Sequence, residues 1–233
     1  MTIEHHPSVA TLADFTTGRI QKLHELVVKA HLSVCPQCCD SIREIEHVGG
    51  DIMMSVQPDS TTKRLEIGQN KQARAITETF EWNSETHCSD SGDEQFSSKA
   101  DLYGSSGMDV KSLYSTFLDC SFDALPWRPV GNNVKMCKLR DEGQSKMWLI
   151  QGQPGSKLPQ HSHNGQELTL VLKGSYACSS ELYSAGDIQE CDEDKHHQPI
   201  IVGDTDCISL VVTDGKLLFK NWLPRVLQPF LGI

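Results

Sequence analysis

Residues 155–174 read GSKLPQHSHNGQELTLVLKG, and the placement of the polar side chains in this stretch decides how the second half of the chain folds. His161, His163 and Glu167 share odd parity, so an extended chain points all three to one side. Leu168, Leu170 and Leu172 then point to the other. Two imidazoles and a carboxylate converging inside a barrel wall form a facial set able to hold Zn2+, Fe2+, Mn2+ or Ni2+. A fourth ligand is available from a different strand at His196 or His197. The competing reading is a pair of surface histidines on an exposed strand.

The flanking sequence supports a β-rich setting. VKMCKL (134–139), MWLIQG (147–152), LTLVLKG (168–174), SYACSSELY (175–183) and CISLVVTD (207–214) are short, rich in β-formers and separated by turn residues. Strands that follow one another without intervening helices predict an antiparallel barrel or sandwich. The tail, FKNWLPRVLQPFLGI, is apolar enough to pack back on the domain or on a partner.

The first half has a different period. Ser8 is placed to cap a helix ending near Gly18, and a second helix is expected over Ile20–His31. Pro36 suits the first turn of a third, carrying Ile42, Ile45 and Val48 and stopping at Gly49-Gly50. A short fourth is expected around Lys71–Phe80. HLSVCPQC (31–38) places His31, Cys35 and Cys38 at a spacing that closes around one tetrahedral Zn2+. His31 follows Val27 by four residues, so the apolar stripe of the second helix delivers it to the Cys turn. His5 and His6 are the nearest upstream candidates for a fourth ligand, and Cys39 should point away from the pair. A buried histidine beside two free thiols, or a redox pair, would be the alternatives.

Between these halves, residues 83–107 turn rich in Ser, Gly, Asp and Glu and poor in aliphatics, as a linker does. The expected organisation is α + β with two domains. Residues 1–82 form a small helical metal-binding unit, 83–110 an acidic linker, and 111–233 an antiparallel β-barrel. A formal net charge of −10 argues against a nucleic-acid-binding surface. No apolar run is long enough to span a bilayer and MTIEHHPSV lacks the features of a signal peptide, so a cytoplasmic location is expected. Nine cysteines at irregular spacing fit a reducing compartment, with thiols free or on metal. Cys88, Cys120, Cys137, Cys178, Cys191 and Cys207 read first as small apolar core residues, and His24, His47 and His87 as solvated.

Gly155, His161, His163, Glu167 and Gly174 match the first cupin motif at every position, so the second half resembles a cupin, or jelly-roll, domain. A zinc-type helical domain followed by one cupin resembles the ChrR family of zinc anti-sigma factors over nearly the whole chain. The N-terminal likeness rests on His5-His6, DFTTG (14–18) and HLSVCPQC; the C-terminal likeness rests on the cupin motif, Gly186-Asp187 and LPRVLQPFLGI. The resemblance implies His6 as the fourth N-terminal ligand beside His31, Cys35 and Cys38. In the cupin it implies His161, His163, Glu167 and His197, the histidine preceding Gln198-Pro199, with His196 as the competing choice.

By the same resemblance, Zn2+ is expected in the N-terminal site and a second divalent metal in the cupin, Zn2+ first, with Fe2+, Mn2+ or Ni2+ as options. The implied partner is an extracytoplasmic-function sigma factor, held one-to-one and released under oxidative, singlet-oxygen-like stress. No direct nucleic-acid or membrane contact is expected, and self-association through the cupin stays open. The alternative is a metal-dependent, dioxygenase-like cupin enzyme with a helical appendage.

Overall fold

Two of the three described helices start where the sequence offers a side-chain cap. Ser8 Oγ accepts the Thr11 amide at 3.2 Å and opens α1 (Val9–Thr16), which stops before Gly18 at φ +68°. Helix α2 spans Lys22–Leu32, and α3 spans Pro36–Ser55 with Pro36 in its first turn and Cys35 as its cap. The expected stop at Gly49-Gly50 is not observed: α3 runs through both glycines to Ser55, with Val56 as its C-cap. Each exposed glycine costs a helix about 1 kcal/mol relative to alanine, and no proline blocks the next turn.

The chain is seen here as a computed structural model describing residues 2–56, 124–131, 133–192, 196–215 and 217–219, without the side chains of His163 and 217–219. The expected helix at Lys71–Phe80, the acidic stretch 83–110, Cys88, Cys120, His87 and the tail beyond Phe219 lie outside the described residues.

The second half is antiparallel throughout its described ladders. Its strands are β1 (Arg128–Gly131), β2 (Val134–Asp141), β3 (Ser145–Gly152), β4 (His161–His163), β5 (Glu167–Lys173) and β6 (Ser175–Cys178). They continue with β7 (Glu181–Ser184), β8 (Ile188–Cys191), β9 (Ile200–Val202), β10 (Cys207–Asp214) and β11 (Leu217–Phe219). A six-stranded sheet runs β1-β2-β3-β10-β5-β8, with smaller sheets β7-β6-β9 and β11-β4. This is the helical-plus-cupin-like architecture that the sequence predicts. SYACSSELY, expected as one strand, is instead the hairpin β6–β7. Ser179 and Ser180 both take positive φ (51° and 80°), the geometry of a tight two-residue turn, which serine composition does not announce.

The strands β3, β10 and β5 at the middle of the six-stranded sheet are buried on both faces, while β1 and much of β2 are exposed. Thr169 and Val171 of β5 belong to the face carrying Glu167, and Val171 packs with Tyr176, Cys178, Ile201 and Cys207 between the sheets. Leu168, Leu170, Leu210, Val212 and Leu149 face outward and join one continuous core with Leu23, Val27, Val28 and Ile42 of the helices. Helix α2 lies across β3, β10 and β5. Fully burying each such side chain contributes about 1.5–3 kcal/mol, so the helical and β halves share a core rather than each enclosing its own.

Polar contacts ring this seam. Gln21 Nε2 donates to Asp214 Oδ2 at 2.8 Å, and the Ser145 hydroxyl shares its one proton between Asp214 Oδ1 and Gln21 Oε1. Glu190 accepts the Ser8 amide and the Thr11 hydroxyl, the latter at 2.8 Å. His24 also corrects its solvated reading. It shares a helix face with Val28 and His31, is 2% exposed, and sits with Nδ1 3.7 Å from Asp214 Oδ1. Burial holds its pKa below the ordinary value, against the opposing pull of Asp214. His47 is exposed, beside Asp51, as expected.

Val28→Ala is expected to lower stability by roughly 1–3 kcal/mol, read through Trp148 of β3 in a urea titration. A Trp148 transition that does not move would mean that the helices do not contribute to the stability of the sheet.

Candidate metal centres

Two elements and the N-terminal segment build the first cluster. His31 sits in the last turn of α2, and Cys35 caps α3, where the positive end of the helix favours thiolate. His6 Nδ1 lies 3.4 Å from both Cys35 Sγ and Cys38 Sγ, and His31 Nε2 lies 3.3 Å from Cys38 Sγ. A tetrahedral zinc with N and S ligands has nitrogen-to-sulfur edges of roughly 3.5 Å, so the four donors already have the right mutual spacing. All four ligand atoms lie within 4.8 Å of one another, with His31, Cys35 and Cys38 buried. The Cys38 thiol, hydrogen-bonded to Cys35, holds the Cys35 pKa down with help from His31, and Cys38 is raised in return. His31 Nδ1 donates to the Gly186 carbonyl at 2.9 Å, which leaves Nε2 for the cluster. His5 lies outside the cluster, its Nε2 3.1 Å from the Leu182 carbonyl. Cys39 points away and bonds the Leu32 carbonyl.

The second cluster lies inside the β-domain. His161 on β4 and His197 form an isolated bridge, exchanging backbone hydrogen bonds of 3.1 and 3.0 Å. Their Nε2 atoms are 2.9 Å apart, and Glu167 Oε1 is 3.8 Å from His197 Nε2. The three ligand atoms lie within 4.8 Å of one another and all three residues are buried. His196, the alternative on the adjacent residue, is exposed, because successive side chains turn to opposite faces. The side chain of His163 lies outside the described residues; its backbone pairs with Leu217.

The remaining ring nitrogens of this cluster are engaged away from its centre. His161 Nδ1 donates to the Pro159 carbonyl at 2.8 Å, and His197 Nδ1 is 3.1 Å from Cys191 Sγ. Metal-binding histidines are held by outer contacts of this kind. Burial pushes the Glu167 carboxyl up to about 8, against a hydrogen bond from Thr169, and lowers His197 to about 3, with His161 assisting. Two imidazoles and a carboxyl gathered in one buried site are a donor set that a divalent cation complements.

Sequence reasoning missed Cys191, Asp187 and the Gly186 carbonyl as supports of these clusters. Cys191 is buried, as its reading as a core residue implies, but it also touches a candidate ligand. The signal for it was its parity: two residues from Gln189, it faces the barrel interior.

Comparison with known proteins yields a family and a complex. Residues 117–216 match the family model described as ChrR Cupin-like domain. The Anti-sigma-E factor ChrR of Cereibacter sphaeroides is 30% identical over 233 residues, which is 100% of both chains. A chain in the crystal structure of Rhodobacter sphaeroides SigE in complex with the anti-sigma ChrR is 26% identical. The match covers 91% of this chain and 100% of that one, at a TM-score of 0.63.

The raised carboxyl of Glu167 fixes a pH dependence. Below about 8 it must lose a proton to ligate, while His197 remains neutral, so affinity at this cluster should rise roughly tenfold per pH unit up to about pH 8. Glu167→Gln should abolish the slope. Without metal the same shift works against the fold: stability falls as pH rises from the ordinary 4.5 through about 8, because the unfolded carboxylate ionises first. Calorimetric titration of a Cys35→Ser/Cys38→Ser variant isolates this cluster. An affinity that is flat from about pH 6 to 8 contradicts the assignment of Glu167 as the titrating ligand.

Proposed function

Because the chain belongs to the family of the anti-sigma factor ChrR, we propose that it sequesters an extracytoplasmic-function sigma factor in a one-to-one complex. The family is one of regulators, and the dioxygenase-like alternative is accordingly set aside. The observation that carries the proposal is the likeness to ChrR along the entire chain together with the convergence of His6, His31, Cys35 and Cys38.

In this reading residues 1–82 hold the sigma factor, 83–110 link, and 111–233 form the responding cupin. Zinc is the ion best suited to two histidines and two cysteines, which close a tetrahedral shell and give a structural site. It would pin the N-terminal segment to α2 and α3 and so supply folding energy to a small helical unit. The cupin cluster would hold a second divalent ion on His161, His163, Glu167 and His197. Zn2+ is the first choice, with Fe2+, Mn2+ and Ni2+ acceptable to the same donors. Release of the sigma factor under oxidative, singlet-oxygen-like stress completes the proposed role.

Further features bear on the partner and the compartment. Helix α3 exposes Val48 and Ile52 on the stripe begun by half-buried Ile45, with Met53 and Met54 beside them and exposed Val56 just past its end. An apolar stripe of this kind suits a partner's helices, and a stable complex buries more than about 1,000 Å2. The net charge of −10 would favour encounter with a basic polymerase-binding partner. The described cysteines form no disulfides with one another, which suits the reducing cytoplasm. No helix among the described residues is long and apolar enough to cross a membrane.

Co-expression with an extracytoplasmic-function sigma factor from the same organism, followed by co-purification, tests the proposal. The wild-type chain should retain the sigma factor at one-to-one stoichiometry. Cys35→Ser/Cys38→Ser should weaken binding by about 100-fold or more, since the unit loses its metal staple. His161→Ala should retain binding and blunt release by singlet oxygen. Undiminished binding by the cysteine variant would overturn the role given to the N-terminal cluster.

A further inference from the structure

The two candidate metal clusters lean on the same six residues. β8 is an edge strand of the large sheet, and its free edge is covered by the N-terminal segment: the Ile188 amide donates to the His5 carbonyl at 3.1 Å. Asp187 Oδ1 accepts the Glu4 and His5 amides at 2.8 and 3.2 Å, while its Oδ2 accepts the Ser184 amide at 2.7 Å. Asp187 thereby fixes the backbone one residue before His6. The Gly186 carbonyl takes the Nδ1 proton of His31 at 2.9 Å. Two of the four N-terminal donors are thus oriented from one cupin turn.

The other end of this segment supports the cupin cluster. Cys191 Sγ is 3.1 Å from His197 Nδ1, and Cys191 pairs across the ladder with Glu167. Cys191 lies four positions after Asp187, and β8, which runs from Ile188 to Cys191, is laddered to β5 along its length. A shift of β8 in response to what sits between Glu167 and His197 must therefore change the aim of His31 and the position of His6.

We propose that residues Gly186–Cys191 are a shared outer shell that couples metal occupancy of the two clusters, each bound ion tightening the other. The proposal rests on the reading above that both clusters take a divalent metal. Outer contacts to ligating histidines are worth 10–100-fold in affinity, and coupling between sites is reciprocal by thermodynamic necessity. The expected coupling factor is roughly tenfold in both directions. The anti-sigma half would then hold its metal less tightly whenever the cupin loses its own.

Cobalt separates the two clusters spectroscopically, since Cys35 and Cys38 give a thiolate-to-metal charge-transfer band that the His-and-Glu cluster lacks. The full chain is titrated with Co2+ against a competing chelator. Glu167→Gln should weaken cobalt binding at the thiolate cluster roughly tenfold. Asp187→Ala should weaken it similarly, and Glu167→Gln should then have no further effect in the Asp187→Ala background.

The reverse arm needs no change in the cupin. Cys35→Ser/Cys38→Ser should lower Co2+ affinity at the cupin cluster, read by calorimetry, by the same factor. Thiolate-cluster affinity that is equal in wild type and Glu167→Gln, additive effects of Glu167→Gln and Asp187→Ala, or an unchanged cupin affinity in the reverse arm would each overturn the coupling. Absence of a thiolate–cobalt band in the wild type would instead refute the metal reading of the N-terminal cluster, and the coupling with it.

Discussion

Packing of α2 against the outer face of the six-stranded sheet is the contact from which the other features of this molecule follow. Val27, Val28 and Leu23 meet Leu168, Leu170, Leu210 and Val212 in a seam from which water is excluded. That burial carries His31 to the Gly186 carbonyl and His24 against Asp214. With α2 fixed, the Cys turn that follows it is fixed as well. Residues 4–8 then have only one edge to lie along, that of β8. Each step is local and ordinary, yet the result places a His and Cys cluster of the helical half on the back of the β-domain.

The energetic terms divide the labour between core and metal. Apolar burial along α2 is non-directional and holds the halves together over a broad area. The hydrogen bonds around Asp187, Glu190 and Asp214 add modest net stability each but fix register, because an unmet buried partner costs more than a met one gains. Helices α1 and α3 have less core of their own, and the distal part of α3 exposes apolar side chains. A metal joining His6 to α2 and α3 suits a unit in that position. In the proposed role, that unit is the one that must hold a partner.

Much of this was legible in the residues, and the misses have physical causes. The meeting of His161 with Glu167 was readable from the motif spacing, although not by parity along one strand, since a bend at 164–166 puts them on the separate strands β4 and β5; the HLSVCPQC turn was readable because ligand spacing at a helix end is strict. The shared core was not drawn from the sequence, although its signal was present. ELTLVLK and CISLVVTD are apolar at both parities, and such strands need a cover on each face. His24 was misread because histidine is a surface residue on average, whereas its spacing from Val28 and His31 put it on the buried face. Gly49-Gly50 and Ser179-Ser180 show the limits of punctuation: an exposed helix tolerates glycine, and a tight turn tolerates serine. The supports at Gly186, Asp187 and Cys191 depend on contacts between residues more than 150 positions apart in the first two cases, which no local pattern encodes.

The account stands on the proposed N-terminal metal site being assembled against the cupin, and one amide reports on that directly. The Ile188 amide bonds the His5 carbonyl, a contact that exists only while the N-terminal segment lies on β8. Residue-resolved hydrogen exchange of the metal-loaded protein, and of the same protein after chelation, would follow it. The expected result is a slowly exchanging Ile188 amide that speeds up by about tenfold or more on chelation, while the Leu170 and Leu210 amides stay protected. Ile188 exchanging as fast as an open loop in the metal-loaded protein would contradict the account.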